Sequence, residues 1–305
     1  MGPPAGSSKP GKHRDNEPLI ARRTRSVIKR AVRHVVPAAA DQRRVLLVFG
    51  CQRSGTTMLQ QSIMNRSWRT VILEEHDRRL IRAGDPERLR WESLEHVGRR
   101  IAALPFELVV AKPLVESHRV EELLDACGRA KGIWMLRHYH AVARSNLNRF
   151  GSENGLRDLR ILVADGRSDW RCANSEDVRD RVASLLASAL SPLDAAALFW
   201  WARNRLYFDQ GLSHDRRMRV MRYEAFIQNP HVHLEALSEF IGLPLPLRAM
   251  RHRIRPATTT SETLRPDIEA LCAELQKLFS SVPQLVPGEP GGGSRFMRRV
   301  AGQTL

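Results

Sequence analysis

The chain has 305 residues, 42% of them hydrophobic, and 49 lysines and arginines against 33 aspartates and glutamates give it a formal net charge of +16. It is long enough to bury a sizeable core, as one large domain or two small ones. The charge suits nucleotides, sulfated or phosphorylated substrates, nucleic acid or an anionic membrane, and equally reflects a GC-rich coding bias toward arginine. No apolar run is long enough to span a membrane, and no signal-peptide core is found at the start, so a cytoplasmic location is expected. The four cysteines, Cys51, Cys127, Cys172 and Cys272, form no CxxC pair. That argues against a zinc module and a disulfide framework.

In chain order, residues 1–18 are Pro-, Gly-, Ser- and Lys-rich without periodicity and read as a disordered tail. In 19–36, Val27, Ile28, Ala31, Val32, Val35 and Val36 recur at helical spacing among arginines. Such a basic amphipathic helix either packs on the domain or lies on an anionic membrane. Thereafter strands and helices alternate. Strands are expected at 45–49, 70–73, 108–111, 132–136 and 218–221. Helices are expected at 56–64, 118–130, 140–150, 174–189, 193–210, 231–242 and 266–279. The aromatics Phe199, Trp200 and Trp201 read as core. This alternation predicts an α/β fold, a parallel β-sheet flanked by helices, with ligands beyond the carboxyl ends of the strands. The domain is placed at 43–285, after a basic tail (1–42) and before a Gly/Pro-rich basic tail (286–305).

The segment Val45-Leu46-Leu47-Val48-Phe49-Gly50-Cys51-Gln52-Arg53-Ser54-Gly55-Thr56-Thr57 runs from an apolar strand through a two-glycine loop into a helix. That is the layout of a phosphate-binding loop. Gly50, Gly55 and Thr57 match the Walker A spacing, but Thr56 stands where a nucleotide triphosphatase needs lysine. Arg53, Ser54, Gly55, Thr56 and Thr57 can surround a phosphate through backbone N–H groups, hydroxyls and a guanidinium. Cys51, with no base beside it, reads as a packing residue. Arg137 at a strand end, with Ser145 eight residues later on the next helix, offers a clamp for a second phosphate.

These residues resemble sulfotransferases that use 3′-phosphoadenosine 5′-phosphosulfate (PAPS), nearer the carbohydrate/Golgi-type and bacterial branches than the cytosolic one. Gln52–Thr57 resembles that family's 5′-phosphosulfate loop, and Arg137 with Ser145 its 3′-phosphate motif. Arg222-Tyr223-Glu224, Asn229-Pro230 and Phe240-Ile241-Gly242-Leu243 resemble its late "RYE…P…FLG" segment. The resemblance covers roughly residues 43–280 and implies a P-loop-like sulfotransferase fold with PAPS as co-substrate and no metal. It assigns Tyr223 to the adenine. Lys112 is similar to the family's "K-x-P" lysine near the transferring group, although here Pro113 follows it directly. The family's Golgi-type and tyrosylprotein branches place a glutamate just after the second strand. Counting from Arg53 points to Glu74 as the base, with Glu75 and His76 as the one-residue alternatives, against a merely solvated acidic turn.

The function so implied is in-line transfer of a sulfuryl group to a hydroxyl or amine of a small-molecule or glycan acceptor, a carbohydrate or glycolipid by preference. Arginines in 78–105 and 151–191 favour a polar or anionic acceptor. The alternatives are a P-loop kinase or hydrolase, which needs the missing lysine and a strand-end acid for Mg²⁺, and a non-catalytic anion- or membrane-binding protein. Nucleic acid is not the expected partner.

Overall fold

The computed structural model describes residues 43–64, 69–164, 169–245 and 263–286. The expected N-terminal tail and helix (1–42) and nearly all of the C-terminal tail lie outside the described residues.

Five strands form one parallel sheet: β1 (Arg44–Gly50), β2 (Thr70–Leu73), β3 (Leu108–Ala111), β4 (Ala130–Leu136) and β5 (Met218–Arg222), in the order β2-β3-β1-β4-β5. β1 is central because both of its faces are apolar. Val45, Leu47 and Phe49 enter one core cluster, and Leu46 and Val48 enter the other. A strand buried on both faces reads as a continuous apolar run, which is why this one was plain in the sequence. The first cluster is covered by α7 (Pro192–Asp209), α4 (Tyr139–Phe150) and α10 (Pro266–Leu278). The second is covered by α1 (Thr56–Met64), the short α8 (Tyr223–Gln228) and α9 (Pro230–Ile241).

α7 organises the larger layer. Ser191 and Asp194 form a reciprocal capping box with Pro192 at its first turn, which fixes where the helix starts. Phe199, Trp200 and Trp201 are buried, as expected. The Trp134 indole donates to Asn204 Oδ1 at 2.9 Å, which satisfies its buried N–H, and its ring packs edge-on against Tyr207.

Several elements differ from expectation. The helix expected at 118–130 is α3 (Val120–Ala126), and a 3₁₀ turn, Leu114–Glu116, precedes it. The helix expected at 174–189 is α6 (Glu176–Leu186), and a 3₁₀ turn, Trp170–Ala173, precedes it. The helices α2 (Leu94–Ala102) and α5 (Glu153–Val163) were not expected at all.

The strand order reverses at β1: β2 and β3 lie to one side, β4 and β5 to the other. A crevice opens at the carboxyl end of β1 at such a switch point, and the glycine loop leaves β1 there. Gly50 has φ +121°, and a Cβ at this position would sit 2.6 Å from the Met135 carbonyl oxygen of the neighbouring strand. Gly50→Ala is therefore expected to destabilise the fold by about 2 kcal/mol or more, read as a lowered urea midpoint at unchanged slope.

Candidate functional site

Sheet register explains which residues meet. Leu73 pairs with Ala111, so the next residues, Glu74 and Lys112, emerge side by side. Leu136 pairs with Arg222, so Arg137 and Tyr223 emerge side by side on the other flank of β1.

Between these flanks runs the loop 51–55. Arg53 has a left-handed backbone, φ +69°, and Gly55 has φ +90°. A non-glycine residue in that region stores strain, a common feature of ligand-holding turns. Gly55 accepts the first helical bond of α1, from Leu59 N at 3.1 Å. The first-turn N–H groups of α1 therefore face the loop without intrahelical acceptors. Ser54 is fully buried and its hydroxyl makes no hydrogen bond among the described residues. Thr56 is also buried, whereas Thr57 is exposed.

On the β4–β5 flank, Arg53 Nε donates to Ser145 Oγ at 3.1 Å, and Arg137 Nη1 donates to the Arg53 carbonyl at 3.1 Å. The Arg137 guanidinium lies 4.4 Å from the centroid of the Tyr223 ring. A Cβ on Gly55 would come within 2.3 Å of that same ring. Tyr223 is thus sandwiched between the loop and Arg137, and only a glycine fits beneath it. Arg137 is held from below: the Trp200 indole donates to its carbonyl at 3.0 Å. The next residue is held laterally, His138 N donating to Glu224 Oε1 at 3.0 Å. The Arg53 guanidinium is pushed below its ordinary pKa, first by burial and then by the charges of Arg149 and Arg137. Three guanidinium groups so placed repel one another, and a bound polyanion relieves that repulsion.

On the β2–β3 flank, Lys112 is buried, 7% exposed, and its amine donates to Thr57 Oγ1 at 3.1 Å. The same amine lies 3.5 Å from Glu74 Oε2. The charge missing from position 56 is thus delivered to the loop from a neighbouring strand. The Glu74 side chain remains 43% exposed, open to the crevice. Glu75 is half-buried, and its pKa is raised, chiefly by burial, with Lys112 opposing. His76 is exposed. The Cys51 thiol is fully buried and pushed up to about 12 by burial, which suits the packing role expected of it.

The structure therefore brings together Arg53, Ser54, Gly55, Thr57, Arg137, Ser145 and Tyr223, with Lys112 and Glu74 alongside. Sequence reasoning missed Arg149, whose signal was its one-turn spacing after Ser145. It also missed Trp200 as the support of Arg137, and the turn at 114–117.

No protein-family model and no curated protein matches the sequence. Among solved structures, the chain is similar to the sulfotransferase domain of the Synechococcus PCC 7002 olefin synthase, at 16% identity and TM-score 0.44 over 80% of this chain and 96% of that one. It is similar to the sulfotransferase domain of the curacin biosynthetic pathway, at 13% identity and TM-score 0.44 over 77% and 98%. It is also similar to a sulfotransferase from Alicyclobacillus acidocaldarius, at 17% identity and TM-score 0.39 over 77% and 90%.

Proposed function

We propose that this chain is a PAPS-dependent sulfotransferase acting on a hydroxyl or amine of an acceptor, a carbohydrate or glycolipid. One observation carries the reading. A phosphate loop without its lysine is flanked on one side by an arginine–serine–tyrosine cluster and on the other by a buried lysine paired with an open carboxylate.

The residues fit a nucleotide with two separated anionic groups. Gly55 leaves room only for the Tyr223 ring, the Ser54 hydroxyl is buried without a partner, and Arg137 Nε is likewise buried and unpartnered among the described residues. The α1 N-terminus and the loop hydroxyls would hold the 5′-phosphosulfate. Arg53 would join them on the 5′-phosphosulfate while bonding Ser145, Arg137 and Ser145 would hold the 3′-phosphate, and Tyr223 would bound the adenine. PAPS supplies an activated sulfuryl group on a phosphate leaving group. Lys112, at the edge of the loop, is placed to neutralise charge growing on the bridging oxygen, and Glu74 to accept the acceptor proton. The strand ends beside the loop carry Lys112 and Arg137, where an Mg²⁺–nucleotide enzyme requires an acid. Exposed Arg78, Arg82 and Arg88 follow β2 and make no ion pair among the described residues, which suits a polar or anionic acceptor.

The location we infer is cytoplasmic, with residues 19–36 as a site of peripheral membrane contact. No described helix is long and apolar enough to cross a membrane.

Calorimetry with adenosine 3′,5′-bisphosphate and with ATP tests the nucleotide assignment. The bisphosphate is expected to bind at least about tenfold tighter, one charge-assisted pair being worth that much. Preference for ATP overturns the assignment. A product screen by mass spectrometry, with labelled PAPS and oligosaccharide and glycolipid acceptors, tests the acceptor class.

A further inference from the structure

Two arginine-rich stretches, 78–105 and 151–191, are far apart in the chain, and the structure joins them. Shortly after Glu74 and Glu75 the chain doubles back as a hairpin. Ile81 and Trp91 form an antiparallel bridge, Arg82 N donates to the Arg90 carbonyl at 2.8 Å, and Glu92 N donates to the Leu80 carbonyl at 2.7 Å. The base of the hairpin is tied to the end of β2. Trp91 is buried, its indole donates to the Glu75 carbonyl at 3.3 Å, and its backbone N–H donates to Glu116 Oε1 at 2.8 Å.

The tip is tied to the second stretch. Glu87 Oε1 accepts from Arg171 Nη2 at 2.9 Å, and Glu87 Oε2 accepts from the Trp170 indole at 3.0 Å. Arg171 is buried, 5% exposed. Its Nε donates to Asp158 Oδ1 of α5 at 3.0 Å, and its Nη1 donates to both Asp169 oxygens at 3.0 Å. One guanidinium thus joins carboxylates from three places in the chain, which requires a planar forked donor set. Asp158 is also buried and accepts from Asn154 Nδ2 at 3.0 Å, so the anchor is built into α5.

The charges of the hairpin are divided. Its acids are engaged within the protein: Asp85 with the N–H groups of Leu89 and Arg90, Glu87 with Arg171, and Glu92 with the Ala83 N–H. Arg82 and Arg88 are exposed and make no ion pair among the described residues. Arg88 has a left-handed backbone, φ +56°, in the turn that Asp85 holds. Strain of this kind is common where a side chain is presented to a ligand.

We propose that the hairpin 80–92 is the acceptor wall of the crevice, that the Glu87–Arg171 link holds it there, and that Arg82 and Arg88 contact an acidic group of the acceptor. Arg171 is then a positioning residue, acting only through Glu87. The acceptor role rests on the sulfotransferase reading, whereas the link does not.

The test compares Glu87→Ala, Arg171→Lys and the double variant Arg82→Ala/Arg88→Ala with the wild type. Three readouts are taken: amide exchange at Arg82 and Glu92, calorimetry with adenosine 3′,5′-bisphosphate, and transfer from labelled PAPS to neutral and carboxylated oligosaccharides. Glu87→Ala and Arg171→Lys are expected to speed exchange by about tenfold and to raise KM for the carboxylated acceptor by about tenfold, with kcat and bisphosphate affinity within about threefold. The double variant should raise the same KM while leaving exchange at the wild-type rate. Unchanged exchange in Glu87→Ala overturns the link. Faster exchange at unchanged KM, an unchanged KM in the double variant, or a wild type that prefers neutral acceptors overturns the acceptor role. A parallel loss of bisphosphate affinity shows general damage instead of positioning and also overturns it. Should Arg171→Lys fail to fold, Glu87→Ala decides, because the Glu87 side chain is 42% exposed and the Arg171–Asp158 pair stays in place. A wild type inert with PAPS toward every acceptor defeats the sulfotransferase reading and the acceptor role with it, while the exchange readout still judges the link.

Discussion

Glu74→Gln is expected to slow sulfuryl transfer by about 10²–10⁴-fold, the usual contribution of a positioned general base. Affinity for adenosine 3′,5′-bisphosphate should stay within about threefold, because the groups proposed to hold the nucleotide lie on the other flank of β1 or in the loop itself. The geometry behind this expectation is the pairing of Leu73 with Ala111, which sets Glu74 Oε2 3.5 Å from the Lys112 amine while leaving the carboxylate half open. The substitution is nearly isosteric, so the fold should persist. Single-turnover transfer and calorimetry together check it. Retained turnover in Glu74→Gln removes the carboxylate from the mechanism.

On the proposed mechanism, Lys112→Ala should be comparably severe, lowering transfer by about 10²–10³-fold through loss of the charge assigned to the leaving oxygen. It carries a second, pH-dependent signature. Glu75 already has a raised pKa through burial, and Lys112 is the largest influence holding it down. Without that charge the folded-state pKa rises further above the unfolded value. A group raised in this way contributes stability that is present below the unfolded pKa and is lost as pH rises through the folded pKa. The variant should therefore be destabilised more at about pH 7 than at about pH 4, the latter lying near the unfolded value for a carboxyl group. Urea midpoints of wild type and variant at both pH values measure the difference. An equal destabilisation at both would show that Glu75 does not feel Lys112.

What was legible in the sequence followed from how each element solves its burial problem. β1 is apolar on both faces and runs into a loop bounded by Gly50 and Gly55, so strand, loop and helix were all readable, and α1 and β2 fall where periodicity put them. The helices α2 and α5 were not readable, and both carry an interior glycine. A Cβ at Gly98 would sit 2.4 Å from the Ala126 carbonyl, and one at Gly155 would sit 2.8 Å from Ala196 N. These glycines lower helix propensity locally because another backbone passes close by, a tertiary reason that a one-dimensional pattern does not display.

The candidate site shows the same division. Arg53, Arg137, Ser145 and Tyr223 could be picked out one by one, and Arg53 and Arg137 lie 84 positions apart yet touch. What spacing could not supply was the strand order that makes them neighbours. Nor could it separate Glu74 from Glu75, because which carboxylate meets the Lys112 amine depends on the pairing of Leu73 with Ala111 in a neighbouring strand. Lys112 followed by Pro113 departs from the expected spacing, yet the amine still reaches Thr57 at 3.1 Å.

The placement of the two flanks on opposite sides of β1 has a kinetic consequence. On the proposed reading, the arginines, Ser145 and Tyr223 grip parts of the nucleotide that the reaction leaves unaltered. They hold the spent carrier as firmly as the fresh one, and only the Lys112–Glu74 side senses that the sulfuryl group has departed. Such an enzyme is built to be slowed by its own by-product, and its cycle is timed by how fast the used nucleotide escapes rather than by how fast the group moves.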